Sequence, residues 1–289
     1  MASLQLDRRD RAPLSTVPDA THIPVLRHDE AADMAAAELG RFLALLESLD
    51  ADDWSKPTAC TRWDVRQIVA HVAGAAAGYA RWSEFGRQMS PLSHRPYRRA
   101  GLSFPDAFNQ LQVDDRAQAA PAELIAELRT VGPRAIATRH RLPALVRALR
   151  LPIPMIGVAR IDYLTDLIYT RDMWMHRLDI CRATGREMVL STEHDGRIVA
   201  LVMRDLARDL ARKRDDFAVV YELAGPAGGA WRIGRAARVD ATIRMDALAF
   251  NLLASGRLAA DRARALSTTV VVGDEAAAAW ALEQTSVVY

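Results

Sequence analysis

The chain has little cysteine, no long apolar run and no excess of charge of either sign, and each lack removes a class of function. Two cysteines in 289 residues, Cys60 and Cys181, are too few for a disulfide framework and lack zinc-finger spacing. Each reads as a small buried hydrophobe rather than a nucleophile, and the pattern fits a reducing cytoplasm. Nowhere does an uncharged apolar stretch approach the roughly 18 residues of a membrane span, so no membrane partner is expected. Lys plus Arg number 38 against 36 Asp plus Glu, a formal net charge of +2. That balance, with no basic segment interleaved with aromatics, argues against nucleic acid and anionic membranes. The opening "MASLQLDRRDRAPLSTVPDATHIPV" has no apolar core and so is not a secretory signal, which again suggests a cytoplasmic location.

What is present is apolar residue at helical spacing, and half of the chain is hydrophobic. Residues 1–27 read as a mobile extension. From "HDEAADMAAAELGRFLALLESL" to "IDYLTDLIYTRDMWMHRLDICRATG" apolar positions recur every three or four residues, and the spacing predicts four long helices over 28–190. The second helix is expected to open at "TRWD", with Thr61 as cap and Asp64 as its reciprocal partner. A Pro- and Arg-rich connection over 86–120, with short helical pieces near 104–112, separates it from the third and suggests a lid. Pro133 and Pro143 should kink or interrupt that third helix, and Gly185 should end the fourth. Over 191–289 the grammar changes. A further helix (193–214) precedes "FAVVYELAG", "ARVDATIRM" and "STTVVVG", which read as strands, with "DALAFNLLASGR" and "DEAAAAWALEQ" as helices. The expected fold class is α+β overall, a four-helix bundle followed by a small α+β domain.

Of the seven histidines, His22, His28, His94, His140 and His194 look solvent-facing or weakly specified. His71 and His176 lie in apolar helical surroundings. Asp172, His176 and Asp179 follow one another at i, i+4 and i+7, so a helix brings them to one face. Taken alone, Asp172 and His176 are better explained by a solvated face or an ion pair, and His71 by a satisfied core histidine. Antiparallel helices bringing His71 beside Asp172 and His176 would instead give two imidazoles and a carboxylate, a three-ligand set with positions left open. Asp179 would then orient His176. Arg81, Arg98, Arg99 and Arg257 are candidates for binding an anionic substrate, Arg81 and Arg257 foremost. Tyr79, Trp82 and Trp174 are candidates for lining a pocket, with core packing as the competing role.

The stretch "DWSKPTACTRWDVRQIVAHVAG", with Trp54, Cys60, Trp63 and His71, resembles the N-terminal signature of the mycothiol-dependent maleylpyruvate isomerase family, a branch of the DinB-like metalloenzyme superfamily. "RDMWMHRLDICRATG" resembles that family's second signature, an acid four residues before a His, then His-x-x-Asp and a Gly. The C-terminal segments resemble the sterol-carrier-like domain that accompanies the DinB-like bundle. The resemblance implies a divalent metal, usually zinc, held by His71, Asp172 and His176, and mycothiol as thiol cofactor or cosubstrate. It also implies cis-trans isomerisation of a small electrophile, or S-transfer to it, by a monomer or homodimer. One position departs: the family's first acid is Glu, and Asp172 is one methylene shorter, leaving open whether its carboxylate reaches the metal. Two other readings stay open on this fold, a ligand-binding or regulatory protein without catalysis and a zinc-water hydrolase.

Overall fold

The computed structural model describes residues 17–153 and 157–289. Its contacts divide the chain into two units, one of Leu26–Val189 with Val288–Tyr289, the other of the N-terminal segment up to Val25 with Leu190–Val287. Among the described residues no helix is long and apolar enough to cross a membrane.

The first unit contains α1 (His28–Glu47), α2 (Val65–Ala80), α3 (Trp82–Met89), α4 (Pro91–Arg99), α5 (Phe104–Asp114), α6 (Pro121–His140), α7 (Ala144–Ala148), the hairpin β1 (Arg150–Ile153) and β2 (Gly157–Arg160), and α8 (Tyr169–Thr184). Helices α1, α2, α6 and α8 form the bundle. Its core is Leu39, Phe42 and Leu46 of α1, Val65, Ile68 and Val69 of α2, Leu124 and Leu128 of α6, and Ile180 of α8. These are the three- and four-residue repeats read from the sequence, turned inward because burying them is the main favourable term. A buried ion pair fixes α8 to α1: Arg177 donates from Nε and Nη2 to the two oxygens of Glu38, at 2.8 and 3.1 Å. The fourth helix ends, as expected, on Gly185 in the left-handed conformation (φ 73°).

Three local expectations change. Helix α2 begins after Asp64, not Thr61: Gln67 N donates to Asp64 Oδ1 at 2.7 Å and Asp64 N to Gln67 Oε1 at 3.0 Å, so the capping box lies three residues further on. Helix α6 runs unbroken through Pro133. The connection over 86–120 is mostly helical, as the second half of α3 together with α4 and α5, and α5 packs along α2 as a wall rather than a lid. Gly74 permits that approach: a Cβ there would lie 2.5 Å from Cβ of Gln112.

The second unit has α9 (Asp195–Lys213) and a sheet of β3 (Ala218–Ala224), β4 (Gly229–Gly234), β5 (Ala241–Asp246) and β6 (Val270–Gly273) in the order β4-β3-β5-β6. Strands β3 and β5 are parallel and the other pairs antiparallel. Helices α10 (Ala247–Ala254), α11 (Ala260–Arg264) and α12 (Glu275–Glu283) complete it. Strand β4, with Gly at both ends, was not expected. Of the extension expected over 1–27, residues 1–16 lie outside the described residues. Residues 17–25 belong to this unit: Arg232 N donates to Pro18 O at 2.9 Å and Ala20 is fully buried. That backbone pairing and burial offset the entropy that keeps a polar segment mobile.

Asp53 ties the start of the first signature to the end of the second. It accepts from Lys56 Nζ at 2.8 Å, from the backbone N of Asp50 at 2.9 Å and from Arg186 Nη1 at 2.5 Å. The Lys56 contact first, then the Asp50 amide, with Arg186 adding to them, hold its carboxyl down at about 2. A depressed carboxyl contributes stability above its unfolded value, about 3.9, and loses it as pH falls through the folded one. Asp53→Asn is therefore expected to lower the melting temperature at pH 7, with the gap to wild type closing between about pH 4 and about pH 2. Thermal melts at stepped pH check this, and a gap that persists unchanged at about pH 2 refutes it.

Candidate metal centre

His71 projects from the middle of α2, and Asp172 and His176 from successive turns of α8. Both imidazoles are buried, whereas the Asp172 side chain is 30 % exposed. His71 Nε2 lies 3.4 Å from Asp172 Oδ2, and His176 Nε2 lies 3.5 Å from Asp172 Oδ1. One donor atom from each of the three falls within 4.8 Å of the others. Donors about 2.0–2.2 Å from a tetrahedral ion stand roughly 3.4 Å apart, so the spacing is that of a coordination edge. The carboxylate of Asp172, though short, reaches both imidazoles.

Each ring is turned by a partner on its other nitrogen. Gln88 Nε2 donates to Gly74 O at 2.9 Å and to Glu84 Oε1 at 2.8 Å, which leaves Gln88 Oε1 to accept from Gln112 Nε2 at 2.9 Å. Gln112 Oε1 must then accept from His71 Nδ1–H, at 2.8 Å. A chain of amides anchored on a backbone carbonyl thus sets the tautomer of His71 and leaves the Nε2 lone pair facing Asp172. On α8, His176 Nδ1–H donates to Asp179 Oδ2 at 3.0 Å, and Asp179 is fully buried. Cys60 Sγ donates to the same oxygen at 3.6 Å. Trp63 closes one side, its ring 5.0 Å from that of His71 and 6.4 Å from that of His176.

Burial alone would lower the pKa of His176, but Asp172, then the Asp179 hydrogen bond and the Cys60 thiol outweigh it and push it up to about 10. The same negative field that holds a proton there favours a divalent cation. The donor set, two neutral-capable imidazoles and one carboxylate with their other atoms occupied, fits zinc or another borderline metal.

The remaining candidates are dispersed. Arg81 is the exposed residue that ends α2. Arg257 is a half-buried residue of the other unit, and Arg98 and Arg99 are exposed on α4. Tyr79 lines a hollow beside Asp172, and neither Trp174, which is wholly buried, nor Trp82, which is exposed, lines that hollow. His94 and His194 are buried rather than solvent-facing, and His94 Nε2 lies 2.5 Å from Gln88 O between Phe104 and Phe108. Gln112 escaped the sequence reading because it lies at the edge of the short helical piece expected near 104–112, and a single amide there carries no signal of a partner 41 residues away.

The model of the mycothiol maleylpyruvate isomerase N-terminal domain matches residues 35–181, just over half of the chain. The chain belongs to that family. Two solved structures are similar: a mycothiol-dependent maleylpyruvate isomerase, 13% identical with a TM-score of 0.53, and a histidine-to-alanine mutant described under the same name, 12% identical with a TM-score of 0.52. Each comparison covers 80% of this chain and 90% of the other, and at such identity the likeness is one of fold. No curated protein matches.

Gln112→Leu should leave the fold intact but free the His71 ring, weakening zinc affinity by about 10- to 100-fold. Gly74→Ala should do the same by displacing α5, and should destabilise the protein although Ala exceeds Gly in helix propensity by about 1 kcal/mol. Competition with a chromophoric chelator reads the affinity; wild-type affinity in both variants would show that α5 does not support His71.

Proposed function

We propose that this protein is a metal-dependent enzyme that uses a low-molecular-weight thiol, mycothiol, to isomerise a small electrophilic substrate across a double bond. The observation that carries the reading is the convergence of His71 Nε2, His176 Nε2 and the Asp172 carboxylate, in a chain of this family. A divalent metal in that position supplies the Lewis acidity that keeps a bound thiol as thiolate near neutral pH, the form that adds reversibly to an activated double bond.

The protein's own groups do the rest. Gln112 and Asp179 hold the Nδ1 protons, so His71 turns its Nε2 lone pair inward, and His176 does the same once a cation displaces its Nε2 proton. Burial of the two rings and the Trp63 wall exclude water from one side, while the partial exposure of Asp172 leaves a side open to ligand. Isomerisation returns the thiol unchanged, so no general acid or base is demanded of the site beyond the thiol's own proton. S-transfer to the electrophile would consume the thiol, and product analysis separates the two.

Wild type is expected to hold about one zinc per chain, and His71→Ala and His176→Ala to lose it together with mycothiol-dependent turnover of maleylpyruvate. Elemental analysis beside the turnover assay tests this. Equal metal content in all three proteins removes the metal site, and turnover without added thiol removes the thiol reading in favour of hydrolysis.

A further inference from the structure

Arg139, on the last turn of α6, has its side chain inside the bundle and is 8% exposed. A guanidinium has five N–H donors. Nη1 donates to Thr165 O at 2.9 Å and Nε to Ala135 O at 3.4 Å. Among the described residues no other acceptor and no carboxylate lies within bonding distance of it. The carboxylate whose charge it feels, Asp166, is engaged by His28 Nδ1 at 2.8 Å and by Arg147 at 3.9 Å. The cation instead sits against the rings of Tyr169 and Tyr79, 5.2 and 6.0 Å from their centres. Burial pulls its pKa below the usual arginine value. A buried cation with donors to spare is costly unless an anion completes it.

The surroundings show where that anion would sit. Arg139, Tyr79, Tyr169 and Asp172 line one hollow of about 30 Å³ whose other walls are largely apolar. That volume holds roughly two waters, the bulk of a carboxylate group rather than of a whole ligand. Asp172, at the same hollow, is the carboxylate that faces both imidazoles of the metal centre.

We propose that Arg139, framed by Tyr79 and Tyr169, receives a carboxylate of the substrate, so that an unsaturated carboxylic acid is held with its acid group in the hollow and its double bond toward Asp172. Arg139 is thus a specificity-determining residue, and neither Arg81 nor Arg257 is required for this contact. The assignment rests on the reading of His71, Asp172 and His176 as the reaction centre, but the binding of the acid group does not depend on the metal or on the thiol.

The test is calorimetric titration of maleate and of uncharged dimethyl maleate into the full chain, zinc-loaded and chelator-stripped, as wild type, Arg139→Gln and Arg139→Lys. Maleate is expected to bind wild type in both metal states, to weaken about tenfold or more in Arg139→Gln, and to recover partly in Arg139→Lys. Dimethyl maleate should not distinguish the variants. A role confined to holding Thr165 O would move the melting temperature of the variants but not the selectivity for charged over uncharged ligand. No saturable maleate binding by wild type, equal affinity in Arg139→Gln, or equal loss in both variants overturns the proposal. Maleate binding that depends on Arg139 in a protein without thiol-dependent turnover removes the proposed function and leaves this site standing; turnover with affinity indifferent to Arg139 does the reverse.

Discussion

The geometry of this protein depends on one requirement, that two buried imidazoles keep their Nδ1 protons occupied so that both Nε2 atoms point at the same carboxylate. An imidazole in an apolar bundle has no water to choose its tautomer, and the partner on the other nitrogen chooses it. For His176 that partner is one turn away on its own helix, Asp179. For His71 it is Gln112, reached through Gln88 from the carbonyl of Gly74. The close packing of α5 on α2, which the missing side chain at Gly74 permits, and helix α3, which carries Gln88, hold that amide chain in place.

This explains which parts were legible in the sequence. The α8 half of the site is local, so the i, i+4, i+7 spacing of Asp172, His176 and Asp179 carried nearly all of its geometry. His71 was legible as an imidazole in an apolar helix, but its supporting amides come from 17 and 41 residues further along the chain, from a Pro- and Arg-rich stretch whose helices are short. Helical periodicity needs several turns to show, and α3, α4 and α5 have two or three. The Pro133 expectation failed because of packing: a proline inside the helix removes one backbone hydrogen bond, and Gly132 beside it lets α6 pack against Leu39 of α1, so the surrounding core keeps the helix continuous. Strand β4 was missed because Gly at its ends reads as a turn, while its pairing with β3 comes from tertiary structure.

Arg139 marks the limit of such reading. In sequence it is one of three basic residues in "RHR", next to the exposed His140, and nothing in periodicity separates it from its neighbours. What selects it is the turn of π-helix at Tyr163–Ile168 ahead of α8. That turn leaves Thr165 O available to Nη1 and places Tyr169 against the guanidinium. The wider turn there precedes Asp172 in the same run of helix, so the same irregularity bears on both the candidate metal centre and the hollow.

The buried charges complete the picture. Where the bundle needs a permanent pair it makes one: Glu38 meets Arg177 through two hydrogen bonds, and both are shielded from solvent. Asp172 and Asp179 face imidazoles instead, whose charge depends on what is bound. Two carboxylates against two neutral rings sum to two negative charges, which one proton on His176 halves and a divalent cation cancels. Arg139 is the opposite case, a positive charge held against aromatic faces and backbone carbonyls in the hollow that Asp172 lines. Pairing Arg139 with Asp172 directly would have neutralised both at lower desolvation cost. Keeping them apart leaves a negative cluster suited to a cation and a positive group suited to an anion, the polarity that the proposed substrate, a small acid activated at its double bond, would complete.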